Sequence, residues 1–246
     1  MLVIGVIPAR YGSTRLEGKP LALIHGKPMI QHIYENARRA GTLASVFVAT
    51  DDERVRKAVA AFGGEAVMTS PDHNCGTERI AEAVRGRDAD IVVNIQGDEP
   101  LMGPEIIDEC VRALRDNPDI GLSTVMKRIP ETAFLDLSVV KVVCDARGRA
   151  LYFSHSLIPY PRHRTARFAV FEHIGVYAYT RDTLVRLCSM KPSTLEAIEG
   201  LEQLRALENG ISIQVVETSF EGELVSVDTA EDLERVRAIL GNGASA

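Results

Sequence analysis

The densest cluster of chemically useful side chains follows an apolar run near the start of the chain. Pro8-Ala9-Arg10-Tyr11-Gly12-Ser13-Thr14-Arg15-Leu16-Glu17-Gly18-Lys19-Pro20 gathers two guanidinium groups, one ammonium group and two hydroxyl donors in one glycine-containing loop. Gly12 admits positive φ angles that turn successive backbone N–H groups toward one point, while Arg10, Arg15 and Lys19 supply positive charge and Ser13 a hydroxyl. This pattern predicts a cradle for linked phosphates; a solvated basic turn is the alternative. Spacing separates the loop from two common nucleotide loops. Five residues lie between Gly12 and Gly18 where a P-loop has four, Pro20 stands where a P-loop carries Ser or Thr, and no G-x-G-x-x-G follows the first apolar run.

Two aspartates are candidate partners for that loop. Asp98, in Gln96-Gly97-Asp98-Glu99-Pro100, directly follows the apolar run IVVNI, which places it at the carboxyl end of a strand. There it could hold Mg2+, a cation that takes hard oxygen ligands and shares them with substrate phosphates, or it could bond its own backbone in a turn. Asp228 opens the last predicted helix, and Glu231 three residues on would complete a capping box, so the local sequence favours capping. Asp228 becomes a second metal carboxylate only if its strand end lies beside Asp98. In Cys75-Gly76-Thr77-Glu78-Arg79 the first-turn N–H groups and the Arg79 fork could meet a base edge or a phosphate, or simply begin a helix. His155, Arg162, His163, Arg164, Arg167 and His173 form a basic stretch that could grip a carboxylate or remain a charged surface loop, whereas His25, His32 and His73 read as solvated.

These residues need elements to position them. Leu2 to Pro8 reads as a buried strand, and Ala9 to Pro28 as a punctuated loop with little regular structure. A helix from Met29 follows, stopping at Gly41, then a strand at 45–50, a helix to about Phe62, a strand at 65–68, a strand at 91–96 and a helix at 104–116. Alternation of this kind predicts an α/β fold: a mainly parallel central sheet with helices on both faces and ligands at the strands' carboxyl ends. From Ile120 the rhythm changes to strands at 120–125, 139–144, 150–154 and 174–179, which predicts a smaller antiparallel extension. A helical region over 194–209, a strand at 211–217 and a final helix at 229–240 precede the tail at 241–246. The expected organisation is one domain, 1–240, with a phosphate-binding part to about 119, an extension over about 120–210 and a return to the main sheet over 211–240.

Composition bounds the partners. A net charge of −6 argues against nucleic acid, yet residues 1–27 carry a net +3, which suits a small anionic ligand. No window approaches the ~18 uninterrupted apolar residues of a membrane span, and no signal-peptide pattern is present, so a cytoplasmic location is expected. The four cysteines lie far apart without metal or redox spacing and read as reduced thiols.

Taken together, ten ordered segments resemble the 3-deoxy-manno-octulosonate cytidylyltransferases (CMP-Kdo synthetases): IPARYGSTRLEGKPL, GKPMIQHIYENA, VFVATDDERV, CGTERIAEA, VNIQGDEP, VVKVV, ALYFSHSLIPY, HIGVYAYTR, LEQLRALENG and SVDTAEDLERVRA. CMP-sialic acid synthetases share the design of the first loop but lack HIGVYAY and LEQLRALENG. The resemblance implies a Rossmann-like nucleotidyltransferase fold, a homodimer, and transfer of CMP from CTP to Kdo for lipopolysaccharide assembly. It implies that Arg10, Gly12, Ser13, Arg15 and Lys19 bind the triphosphate, with Thr77 and Arg79 near the cytidine. Asp98 and Asp228 would ligate Mg2+, and Asp98, Lys19 and Arg10 would carry the catalysis. Gln96, Arg162, His173, Tyr177, Glu202 and Gln203 would line the sugar subsite, Arg162 facing the carboxylate. Departures stand at Glu17, Thr194 and Ala230, where the family usually has Pro, and at Cys75, where it has Ser; the stretch between Pro161 and His173 matches poorly. An 8-amino-Kdo or sialic acid substrate, or a non-catalytic CTP sensor, are the alternative readings.

Overall fold

The computed structural model describes residues 1–12, 16–73, 75–163 and 168–243, with backbone alone for the last two. In chain order the elements are β1 (Val3–Pro8), a 3-10 turn (Lys19–Leu21), β2 (Leu23–Ile24), β3 (Lys27–Pro28), α1 (Met29–Ala37), β4 (Ser45–Thr50), α2 (Glu53–Ala61), β5 (Ala66–Met68), α3 (Gly76–Ala83), β6 (Ile91–Asn94) and α4 (Pro104–Arg115). There follow β7 (Leu122–Arg128), a 3-10 turn (Glu131–Ala133), β8 (Lys141–Cys144), β9 (Ala150–Ser154), β10 (Phe171–Thr180), α5 (Arg181–Cys188), α6 (Thr194–Glu199), α7 (Gln203–Glu208), β11 (Ile213–Glu217) and α8 (Ala230–Gly243). The chain divides into two compact units, one of Met1–Asp108 with Phe220–Ala246, the other of Glu109–Ser219.

In the first unit β1 pairs in parallel with β4 and with β6, and β5 pairs in parallel with β4. Val3, Ile4, Val6 and Ile7 are all buried, as a continuous apolar run must be when a strand is covered on both faces. Helix α1 buries Met29, Ile30, Ile33, Tyr34 and Ala37 along one stripe. Two details differ from the sequence expectation. The stretch 9–28 contains regular structure: the 3-10 turn and a β2–β3 hairpin whose corner uses left-handed His25 (φ 48°) and Gly26 (φ 81°). Helix α1 ends at Ala37 instead of Gly41, because the N–H groups of Gly41 and Thr42 bond the Asp108 carboxylate at 3.2 and 2.8 Å.

In the second unit β10 pairs antiparallel with β7 and with β8, β8 pairs antiparallel with β9, and β11 lies parallel to β7. This is the antiparallel component that the run of strands predicts. Helix α5, capped by the Thr180 hydroxyl, was not foreseen, since its eight residues carry only Leu184 and Leu187 as buried apolar positions. The single helical region over 194–209 is two helices, α6 and α7, because Gly200 (φ 68°) ends α6 in a left-handed cap. The four cysteines are free thiols, and among the described residues no helix is long and apolar enough to cross a membrane.

Candidate active site

The parallel register sets Val6 opposite Asn94, so β1 and β6 deliver their following residues to one level at the carboxyl end of the sheet. The two chains then run so close that a Cβ on Gly97 would collide with the Pro8 carbonyl oxygen; only glycine lets Asp98 follow β6 into contact with the first loop. A bond from Val227 N–H to the Asp98 carbonyl, 2.9 Å, brings the last segment to the same point. Lys19 lies between the two carboxylates, its Nζ 3.0 Å from Asp98 Oδ2 and 3.2 Å from Asp228 Oδ1. Asp98 and Asp228, 130 positions apart in sequence, therefore meet around one cation.

Capping does not explain Asp228. The cap of α8 is closed one residue later, with Asp232 N–H donating to Thr229 Oγ1 at 3.2 Å and Thr229 N–H donating to Asp232 Oδ2 at 2.8 Å. Thr229 and Asp232 form the capping box, Glu231 takes no part in it, and the Asp228 carboxylate is turned to Lys19.

Around this cation centre is a cavity of about 370 Å³ lined by Pro8, Ala9, Arg10, Gly12, Lys19, Pro20, His73, Cys75, Gly76, Arg79, Gln96, Gly97, Asp98 and Asp228. Its size is that of a small-molecule site. Lys19 is presented by the 3-10 turn, entered through Gly18 with φ 68°; among the described residues of the loop the left-handed glycine is Gly18 and not Gly12. Arg54 stacks on the Tyr11 ring, 3.3 Å from its centroid, and so braces the loop from α2. Glu17 is exposed, as a negative charge inside a phosphate loop has to be. Ser13 and Arg15 lie outside the described residues.

Arg79 is almost fully buried and its guanidinium is committed to protein partners: Asp51 Oδ2 at 2.8 Å, Thr69 Oγ1 at 2.5 Å and Ser70 O at 3.4 Å. It forms a fixed wall of the cavity, whereas Thr77 is buried and is not among the residues that line it. His73, read from sequence as solvated, lines the cavity and bonds Glu82, which holds the Glu82 carboxyl below its usual range. An isolated histidine before a helix carried no signal of this placement.

Of the residues assigned to a sugar subsite, Gln96 lines this cavity and the other five belong to the second unit. There the His173 and Tyr177 rings lie 5.4 Å apart, with Phe153 edge-on to His173 at 5.0 Å. Burial, with the neighbouring Glu202 carboxylate, pushes the Tyr177 phenol far up. Burial pushes the His173 imidazole down to about 3. Gln203 is 7% exposed, and its buried Nε2 is a donor without a partner among the described residues. Arg162 is exposed, its backbone N–H bonded to Tyr160 O at 2.9 Å.

An α/β sheet with a cationic loop and paired carboxylates at its carboxyl edge has the character of a nucleotidyltransferase. Residues 4–213 match the model of a family described as Cytidylyltransferase. The chain is 49% identical to the 3-deoxy-manno-octulosonate cytidylyltransferase of Pelobacter propionicus, over 97% of this chain and 99% of that one. It is 50% identical to the protein of that name from Geobacter metallireducens, over 96% of each. Among solved structures, CMP:2-keto-3-deoxy-manno-octonic acid synthetase complexed with CTP superposes with a TM-score of 0.94 at 45% identity, over 99% of this chain and 100% of that one. A nucleotidyl transferase from Methanothermobacter thermautotroptrophicus, at 18% identity and TM-score 0.63, shares the fold. The chain belongs to the cytidylyltransferase family and, within it, to the 3-deoxy-manno-octulosonate cytidylyltransferases.

Proposed function

We propose that this protein transfers CMP from CTP to Kdo, giving CMP-Kdo and pyrophosphate. The observation that carries the reading is the meeting of Asp98, Asp228 and Lys19 at the floor of a cavity rimmed by Arg10. In the reaction the anomeric hydroxyl of Kdo attacks the α-phosphorus of CTP; a new P–O bond forms, the bond to the β-phosphate breaks to release pyrophosphate, and the hydroxyl proton passes to solvent water. Both substrates are anions, so the first task of the site is to lower their repulsion.

Arg10 and Lys19 do this by pairing with the triphosphate, and the same charges hold the departing pyrophosphate. Backbone N–H groups of the loop and the first turn of α3 orient the nucleotide, with Arg79 as a rigid wall and Gln96 in the lining. Two converging hard carboxylates that already hold an ammonium ion fit Mg2+, which uses one or two carboxylates and completes its shell with phosphate oxygens and water. Asp98 and Asp228 would hold it, and when bound it supplies Lewis-acid charge at the reacting phosphate. Asp98 acts as an anchor and not as a general base. In the second unit His173, Tyr177, Glu202 and Gln203 take the hydroxyls of Kdo, and the Arg162 fork takes its carboxylate. We also infer a cytoplasmic homodimer serving lipopolysaccharide synthesis; exposed Leu135, Leu137 and Tyr160 are apolar surface that a second subunit would cover.

Mixing protein, CTP, Mg2+ and Kdo and measuring pyrophosphate tests the proposal. Release with Kdo, and little with 8-amino-Kdo or sialic acid, is expected. Binding of CTP without pyrophosphate release on any sugar acid would mark a nucleotide sensor instead.

A further inference from the structure

Thr124, on β7, is fully buried at the point where the pairing of β7 with β10 slips: Ile174 faces Val125, but the next residue in register on β10, Tyr177, faces Thr124. The slip brings two main-chain carbonyls to one hydroxyl. Thr124 Oγ1 lies 2.7 Å from Val176 O and 3.2 Å from Ile174 O, and the same oxygen is 2.9 Å from His173 Nε2. A hydroxyl owns a single proton, and carbonyl oxygens can only accept. The proton therefore goes to the carbonyls, chiefly Val176 O, and Thr124 Oγ1 meets the imidazole as an acceptor.

His173 Nε2 must then carry the proton, and in a neutral ring Nδ1 carries the lone pair. Among the described residues Nδ1 has no partner, and it is not sealed from solvent. Phe153 and Tyr177 hold the ring plane. The titratable groups nearby are Tyr177 on the same strand, Glu202 and Cys110 beside Tyr177, and Glu172 and Lys127, which pair with each other in register and, being next to His173 and Met126 along their strands, lie on the other face of the sheet. Among the described residues none of these forms an ion pair with the imidazole, and burial keeps a second proton off it at neutral pH.

We propose that Thr124 is a positioning residue that fixes His173 as the neutral Nε2–H tautomer, so that His173 accepts a hydroxyl proton of the sugar acid on Nδ1 and lends no positive charge to its carboxylate. The second half rests on the placement of Kdo at His173 given above. Selectivity for a sugar bearing a hydroxyl donor at that point follows.

The test is 15N NMR of the His173 ring in the whole protein at pH 7, assigned against His173→Gln, with and without Kdo, together with the kinetics of Thr124→Val and Thr124→Ser. We expect a protonated Nε2, an unprotonated Nδ1 whose resonance moves when Kdo is added, and no protonation down to pH 5. We expect Thr124→Val to raise the KM for Kdo about tenfold, the scale of one hydrogen bond, with the KM for CTP unchanged, and Thr124→Ser to restore it. A ring protonated on Nδ1, or charged at pH 7, overturns the tautomer assignment, as does a folded Thr124→Val enzyme with an unaltered KM for Kdo. An Nε2–H ring that ignores saturating Kdo overturns the placement of the sugar instead. If Thr124→Val does not fold, the wild-type spectrum alone decides.

Discussion

Around the cavity of the first unit charged groups are held by charged groups, Lys19 between Asp98 and Asp228 and Arg79 against Asp51, and His73 bonds the Glu82 carboxylate. In the second unit three of the candidate ligands are neutral groups, the His173 and Tyr177 rings kept uncharged by burial and the Gln203 amide with a donor lacking a partner among the described residues, beside the charged Glu202 and Arg162. The contrast matches the two ligands. A triphosphate is recognised first by charge, which acts at a distance and weakens with salt. A sugar acid differs from its relatives by the positions of hydroxyls, which only short, directional hydrogen bonds can read, and a desolvated polar group left unpaired penalises the wrong sugar.

The comparison breaks most visibly at Asp98. Replacement by Asn keeps the size and removes the charge, so turnover should fall at least ~100-fold, the scale of losing one placed electrostatic group, while the melting temperature changes little. Rates across a Mg2+ titration check this, and near-normal activity at limiting Mg2+ would remove Asp98 as anchor. Lys19→Ala should follow, with kcat/KM for CTP down by on the order of tenfold or more. The control is Lys27→Ala, whose exposed ion pair with Glu35 at 2.8 Å should leave kcat/KM within about twofold. Equal effects of the two lysines would mean that the loop does not hold the phosphates.

The first unit was legible because its chemistry is contiguous. The loop from Pro8 to Pro20 and the segment Gln96–Pro100 each carry charge and glycine at the end of an apolar run, a local pattern that says both what the residues could bind and where on a sheet they stand. What that pattern does not contain is the bond from Val227 N to Asp98 O that puts Asp228 in the same place; it joins residues 129 apart and is a property of the folded chain. Asp228 and Thr229 are both good caps, and only the structure shows that the box begins at Thr229. In the second unit the basic stretch with Arg162 and His173 was legible as a possible grip for a carboxylate, whereas Tyr177, Glu202 and Gln203 were reached through family resemblance alone, since a tyrosine on one element and a glutamate and a glutamine at the start of another form no pattern. Thr124 was invisible altogether: a β-branched residue in a strand reads as core, and its hydroxyl acquires meaning from a register slip that periodicity cannot foresee.

The second unit offers smaller and sharper tests. Arg162→Ala should raise the KM for Kdo about tenfold and leave that for CTP alone, because a carboxylate loses one charged fork while the phosphates keep theirs. An unchanged dependence on Kdo would take Arg162 out of the subsite.

The smallest effect concerns stability. His173 is neutral in the folded protein, with its imidazole lowered from 6.5 to about 3 by burial, whereas in the unfolded chain it takes a proton near its ordinary value. Between those two values the unfolded state binds the extra proton, so folding stability rises with pH and is lost as pH falls below about 6.5. The slope from one such group is at most about 1.4 kcal/mol per pH unit. His173→Gln removes the titration while keeping an amide N–H that can still donate to Thr124 Oγ1. Urea unfolding at intervals from pH 6.5 to 4.5 should therefore give a shallower pH dependence for the variant than for the wild type. Parallel curves would show that the imidazole is charged in the native state, and with that the neutral, hydroxyl-reading character of this region would be lost.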